Sequence, residues 1–257
     1  MTWLTCTVPR PEAPIALVCF PHAGGSAHVF REWAAAFPDI EVHAVSYPGR
    51  AHRIAEPVPS NLRRLAADIR DATRPLLHRP TAFLGHSMGA AVAFETALLL
   101  QRDGTPVSHL FASSCRALHL PRPTLPDGDD GTAVLKALAE LGGTEPEVLA
   151  DPVLRDLVVP YVLGDLQMFD TYRYRPGDVL HCPVTAITGL TDIHVTPEQA
   201  AAWSAMTRGP FRCEPVLGGH FHLTHEPPFG MLRESLVRHP APGSPLQACS
   251  PSGEDLA

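Results

Sequence analysis

Thr81-Ala82-Phe83-Leu84-Gly85-His86-Ser87-Met88-Gly89-Ala90-Ala91-Val92-Ala93-Phe94 is the stretch on which the reading of this chain turns. Thr81 to Leu84 is a short apolar run bounded by turn residues, which reads as a buried strand. Ala90 to Leu100 is apolar and long enough to be a buried helix. Between them lies Gly-x-Ser-x-Gly. A strand, this five-residue turn and a helix together make a nucleophile elbow. The turn is so tight that the serine backbone is strained, and glycines on both sides let neighbouring elements approach without a Cβ clash. Ser87 is thereby held above the sheet at a helix N-terminus. The pattern alone is weak; its flanks make the catalytic reading of Ser87.

A serine hydroxyl is a poor nucleophile at neutral pH, so it needs a base, and the base needs an orienting acid. In the fold that carries such an elbow, the acid and then the histidine follow the serine along the chain. Of 14 histidines, only His181, His194, His220, His222, His225 and His239 lie well past Ser87. His220 follows Gly218-Gly219, a pair that lets a loop carry the ring over the sheet edge. His222 and His225 compete with it, and both also read as ordinary loop or helix-start histidines. Cys182 to Gly189 reads as a buried strand, and Gly189-Leu190-Thr191-Asp192 as the turn leaving it. Asp192 is the only carboxylate between Asp178 and Glu198. A turn-capping aspartate is the plain alternative. Its place at a strand's C-terminal end favours the acid of a triad.

An oxyanion hole needs backbone N–H groups aimed at developing negative charge. Met88, after the nucleophile, supplies one. The other is expected from the loop after an early strand. Ile15 to Phe20 is that strand, and Pro21-His22-Ala23-Gly24-Gly25 the loop, with Ala23 the best candidate donor. His22 is given a supporting role.

Four segments carry a resemblance: Phe20-Pro-His-Ala-Gly-Gly-Ser26, Tyr47-Pro-Gly-Arg-Ala-His-Arg53 with Glu56-Pro57, Gly85-His-Ser-Met-Gly-Ala90 and Gly218-Gly-His-Phe221. Over residues 13 to 237 the chain resembles the type II thioesterases of polyketide and non-ribosomal peptide pathways, within the α/β-hydrolase superfamily. The resemblance implies hydrolysis of acyl groups from the phosphopantetheine arm of acyl or peptidyl carrier proteins, removing aberrant or stalled units. It also implies a helical lid after the sixth strand and the triad as placed above. The family's late aspartate usually sits in a Gly-Asp-x-Asp-like turn; here Leu190 takes the first acidic place. Thioesterase domains that end assembly lines commonly carry the acid after the strand that follows the nucleophile helix. Leu110 to Arg116 holds no carboxylate, which favours the stand-alone, editing type.

Composition agrees with an enzyme. A chain of 257 residues, 45% hydrophobic, can bury a large core in one α/β domain. The net charge of −7 argues against nucleic acid as a partner. Carrier proteins are usually acidic, so docking calls for a local basic patch, with Arg50, Arg53, Arg63, Arg64, Arg116 and Arg122 as candidates. At least half of these read equally as internal ion-pair partners or solvated surface groups. Among six cysteines there is no C-x-x-C pair, and Cys19 and Cys182 read as buried and inert. No histidine and acid spacing makes a convincing metal site, and no phosphate-cradling loop occurs. No cofactor is expected beyond the arm on the partner. Without a signal segment or spanning run the chain reads as cytoplasmic, and a monomer is the default.

Strands alternating with helices argue a mostly parallel central sheet with helices on both faces. Residues 1–13 read as a loose lead-in and Val29 to Phe37 as a short amphipathic helix. A strand is expected at Glu41 to Ser46. Ser60 to Arg74 reads as an amphipathic helix capped by Ser60 or Asn61. Val107 to Ser113 reads as another strand. Residues 117–180 break the alternation and read as the inserted lid: a loop from His119 to Gly131, a helix at Thr132 to Leu141, then two or three helices interrupted by Pro152 and Pro160. Such a segment is expected to cover Ser87 and to be more mobile than the sheet. Residues 1–238 are expected to form one domain and 239–257 a disordered tail. Two other functions stay open: a small-molecule esterase or lipase of the same fold, and a non-catalytic carrier-binding module.

Overall fold

The structure, a computed structural model, describes residues 2–121 and 151–238. The predicted helix at Thr132 to Leu141, the tail and Arg122 lie outside the described residues. The strands are β1 (Leu4–Thr5), β2 (Ile15–Phe20), β3 (Ile40–Val45), β4 (Thr81–His86), β5 (His109–Ser113), β6 (Val184–Gly189) and β7 (Phe211–Val216). They form one seven-stranded sheet in the order β1-β3-β2-β4-β5-β6-β7. Every pairing is parallel except the antiparallel β1–β3 edge.

The central strands read as unbroken apolar runs because both faces are covered. Alternate residues serve opposite sides. Val18, Phe20 and Phe83 pack on one face with Leu62, Leu65 and Ile69 of α2 (Leu62–Thr73) and with α3 (Met88–Arg102). Leu17, Cys19, Ala82 and Leu84 pack on the other with Trp33 of α1 (Trp33–Ala36) and with residues later in the chain. Asn61 caps α2, its side chain accepting from the Arg64 N–H at 3.0 Å. The helix α3 has almost no exposed face, as its apolar composition requires.

Three expectations are corrected. The lead-in is not loose: Leu4 pairs with Val45 and Thr5 with Ala44. Arg79 donates to the carbonyls of Arg10, Pro11 and Ala13, which pins the rest. A two-residue strand is too short to show a period. Val29 to Phe37 is not one helix but a 3-10 turn at Ala27–Phe30 followed by α1. The Ser26 side chain accepts from the His28 N–H and starts the first turn early, in tighter geometry, so the chain must reset at Arg31 and Glu32 before α1. Among the described residues of the Val148 to Tyr174 stretch, those from Asp151 on hold one long helix, α4 (Pro152–Thr171), which runs through Pro160 and is not broken there. Pro152 sits in its first turn, where no intrahelical donor is needed. Asp151 caps that turn, accepting from Val153 and Leu154. Pro160 is carried inside the helix, where side-chain packing of the C-terminal half offsets one lost hydrogen bond.

The remaining α-helices among the described residues are α5 (Pro197–Ala201), α6 (His222–His225) and α7 (Phe229–Arg238). Leu223 of α6 and Leu232 and Leu236 of α7 complete the second face. None of the described helices is long and apolar enough to cross a membrane.

Candidate active site

The loops that leave β2, β4, β6 and β7 all emerge at the carboxyl edge of the sheet, where open α/β folds bind ligands. Each brings one of the predicted groups. Ser87 sits at the β4–α3 turn with φ 54° and ψ −122°. That is a sparsely populated conformation for a residue with a Cβ, and the surrounding packing holds it there. A Cβ at Gly85 would run into Ala90 and the Gly89 carbonyl, so the helix can double back on the strand only over a glycine. A Cβ at Gly89 would meet the Phe20 and Pro21 carbonyl oxygens. That close approach seats the elbow directly against the loop that carries Ala23.

His220 reaches Ser87 over the sheet edge. Its Nε2 lies 3.1 Å from Ser87 Oγ and its Nδ1 3.0 Å from Asp192 Oδ2. Gly218, at φ 100°, makes the turn that aims the ring. Gly189 ends β6 against the Gly218 and Gly219 carbonyls, with no room for a side chain, which draws the Asp192 and His220 loops together. The Asp192 side chain is fully buried. Its Oδ1 also accepts from the His194 N–H at 2.9 Å and the Val195 N–H at 3.2 Å. Asp192 thus caps its own turn and at the same time faces His220. Burial pulls its carboxyl pKa up. The hydrogen bond and charge of His220, the His194 amide and the Ser114 hydroxyl outweigh this and hold it below the ordinary carboxylate value.

The competing histidines lie elsewhere. His222 is buried in α6, with Nε2 3.0 Å from Ser113 Oγ and Nδ1 3.2 Å from the Gly219 carbonyl oxygen. His225 is exposed. Ser113 Oγ also lies 3.1 Å from His86 Nδ1, so a chain of polar groups runs beneath the His220 loop. Sequence reading missed Ser113 and Ser114: a serine pair after a strand carries no distinctive pattern. His22 packs its ring on Phe221, with centroids 4.7 Å apart, and against His86. Burial, with the His220 and Arg50 charges, pushes its pKa down to about 3, so the ring is neutral.

Ala23 stands second in a turn closed by the Gly25 N–H donating to the His22 carbonyl at 2.9 Å. With Gly24 at φ 78°, the turn is type II. Met88 opens α3, where the first N–H groups have no acceptor inside the helix.

The candidate docking arginines divide. Arg50 is buried and donates through both terminal nitrogens to Asp165 of α4. Arg53 is buried, donating to Glu56 and to the Ser46 carbonyl. Arg63 pairs with Glu95 at 3.2 Å. Arg116 reaches the Pro121 and His194 carbonyls. Arg64 is exposed. Arg50 and Arg53 therefore serve the fold's interior and not a surface. Cys19 and Cys182 are buried, and burial pushes the Cys182 thiol pKa up to about 12. Among the described residues Cys6, Glu41 and His43 come within metal-ligating reach of one another. Sequence reading missed this cluster because the antiparallel β1–β3 edge creates it. Glu41 is already engaged there by Arg79, His43 and the Arg10 N–H.

Residues 16–236 match the family profile described as a thioesterase domain. The chain is 40% identical over 223 residues to a probable cadicidin biosynthesis thioesterase of Streptomyces griseus, a match covering 86% of this chain and 62% of that relative. It therefore spans less than two thirds of that relative's length. It is 39% identical to the thioesterase PikA5 of Streptomyces venezuelae, covering 87% of this chain and 81% of the other. Among solved structures it superposes on the type II thioesterase BorB of the borrelidin biosynthetic cluster with a TM-score of 0.83 at 38% identity, covering 92% of this chain and 98% of that one.

Proposed function

The chain belongs to the thioesterase family, hydrolases of thioester bonds, and from that premise we propose that it uses Ser87 to free acyl groups from the phosphopantetheine arm of carrier proteins. The observation that carries this reading is the continuous hydrogen-bonded line Ser87–His220–Asp192 at the mouth of the sheet. The likeness to type II enzymes favours a stand-alone editing role, removing stalled or aberrant acyl units.

The steps follow from the geometry. The Ser87 hydroxyl donates to His220 Nε2, which takes its proton as Oγ attacks the thioester carbonyl. Asp192 accepts from the His220 Nδ1–H, fixes that tautomer and stabilises the imidazolium. The negative charge on the former carbonyl oxygen falls to the Met88 and Ala23 amides. Collapse expels the arm's sulfur, which takes the proton from His220 and leaves as a thiol. Water then attacks the acyl–Ser87 ester while giving a proton to His220. Collapse of the second intermediate returns that proton to Ser87 and releases the carboxylic acid. The sequence of steps calls on the chain's own groups, the thioester and water.

The test compares an acyl-pantetheine thioester with a p-nitrophenyl ester of the same acyl chain, then follows several acylated carrier proteins by mass spectrometry. Preferential loss of the acyl mass from carrier proteins is expected. Ester turnover with carriers left intact would move the reading to a small-molecule esterase. Turnover of neither would leave a binding module.

A further inference from the structure

One turn of α4 rests on the loop that carries Ala23. Val162 occupies the space a Cβ at Gly24 would need. Asp165, only 1% exposed, accepts the Gly24 N–H at 2.8 Å through Oδ2. Both its oxygens also face Arg50, itself 2% exposed and flanked by the rings of Tyr47 and Tyr161. Arg50 reaches back to the Gly25 carbonyl at 3.4 Å. So the turn His22–Gly25 is gripped at the Gly24 amide by a carboxylate and at the Gly25 carbonyl by a guanidinium.

The grip matters because of the turn it holds. In a type II turn the middle peptide, here Ala23–Gly24, can flip towards type I, and glycine at the third position permits both. A carboxylate fixed on the Gly24 N–H selects one state. Donors to a developing oxyanion act best when already in place. We infer that Asp165, held by Arg50, is a positioning residue: by fixing the Ala23–Gly24 peptide while Arg50 holds the Gly25 carbonyl, it keeps the whole His22–Gly25 turn in place, and with it the preceding His22–Ala23 peptide whose N–H is the expected oxyanion donor. This rests on the serine mechanism proposed above and adds to it a structural member contributed by the inserted segment.

A buried ion pair by itself suggests only a structural role, and the experiment separates the two. Asp165→Ala removes the acceptor and strands Arg50. The double variant Arg50→Met/Asp165→Leu removes the acceptor but replaces the pair with apolar groups, which buried pairs often tolerate without loss of stability. Asp165→Asn keeps an oxygen for Gly24. Four readouts are taken: thermal midpoint, kcat and KM on an acyl-pantetheine thioester, affinity for an alkyl trifluoromethyl ketone that forms a hemiketal oxyanion on serine, and amide exchange at Gly24. The double variant is expected to melt near the wild type. Its kcat is expected to fall by roughly 30-fold, with KM within about threefold and ketone affinity falling alongside kcat/KM. Gly24 exchange should speed up, and Asp165→Asn should lie much nearer the wild type. A stable double variant with wild-type kcat, or a loss confined to KM, overturns the inference. A wild type that turns over no thioester sinks the functional reading instead. Gly24 exchange then still decides the clamp, because an amide as fast in the wild type as in the double variant would overturn it.

Discussion

At Ser87 a strained backbone, a hydroxyl and a ring nitrogen 3.1 Å away coincide. Ser87→Ala should leave the fold intact and lower turnover by about 10³-fold or more. His220→Ala should cost about as much, because the pair acts as a unit. His222→Ala should behave differently. It leaves Ser113 without the contact to Nε2, so it should cost stability, about 1–3 kcal/mol, more than rate. Parallel melts and initial rates on the three variants check this; His222 proving essential for rate would displace His220 from the base. His22 sets a second expectation. Its pKa falls from an ordinary 6.5 to about 3 in the folded protein. Below pH 6.5 the unfolded chain takes up a proton that the folded one refuses, so stability is lost as pH falls from there towards 3. By pH 5 the loss is about 2 kcal/mol from His22 alone. Chemical denaturation at pH 7 and pH 5 measures it, and His22→Gln should flatten the slope.

Between elements, the decisive contacts are places where a side chain would not fit. Gly89 brings α3 onto the Phe20 and Pro21 carbonyls, joining the elbow to the Ala23 loop. Gly89→Ala should therefore push β2 and α3 apart and reduce both stability and turnover, although alanine is the better helix former. Near-normal kcat and thermal midpoint in that variant would show that the junction yields cheaply. The inserted segment is expected to open for substrate, but its helix α4 is tied down unevenly. Val153 and Leu157 are more than half exposed, whereas Val162 and Asp165 are buried. Amides of residues 161–165 should exchange nearly as slowly as those of β4, and amides of residues 153–157 much faster. Equal, fast exchange along α4 would make the whole helix a moving part.

For the whole molecule, the antiparallel edge closes the sheet and ties distant parts of the chain. Trp3 lies over the Arg53 guanidinium at 4.0 Å, the Ser46 N–H donates to the Trp3 carbonyl, and Arg79 joins Glu41 to the segment from Arg10 to Ala13. Removing residues 2–8 should uncover the β3 edge and Arg53, lowering the thermal midpoint by roughly 4–10 °C while leaving kcat within about threefold. Calorimetry and steady-state rates on the truncated chain decide it. A collapse of kcat at unchanged midpoint would place the edge in the site and not in the frame.

The strands β2, β4 and β6, the elbow, the start of α2 and the grouping of Ser87, Asp192 and His220 at one edge of the sheet were legible in the sequence. Each rests on local chemistry: an apolar run buried on both faces, glycines where no Cβ fits, a lone carboxylate at a strand end, a histidine behind a glycine pair. Those signals lie within a few residues of one another. The tertiary structure alone decided what joins separate segments. It set Cys6 beside His43 through an edge strand too short for any period, and placed Ser113 between two histidines. It also carried Pro160 inside a continuous helix because packing outweighed a local preference. Arg50 and Asp165 show the reason most directly. They stand 115 residues apart, and the sequence could offer Arg50 only as a docking group, an internal ion-pair partner or a surface charge, with nothing to name Asp165 as its partner. Only the folded chain buries the two together, Asp165 on the Gly24 amide and Arg50 beside the Gly25 carbonyl, a pairing that no local pattern encodes.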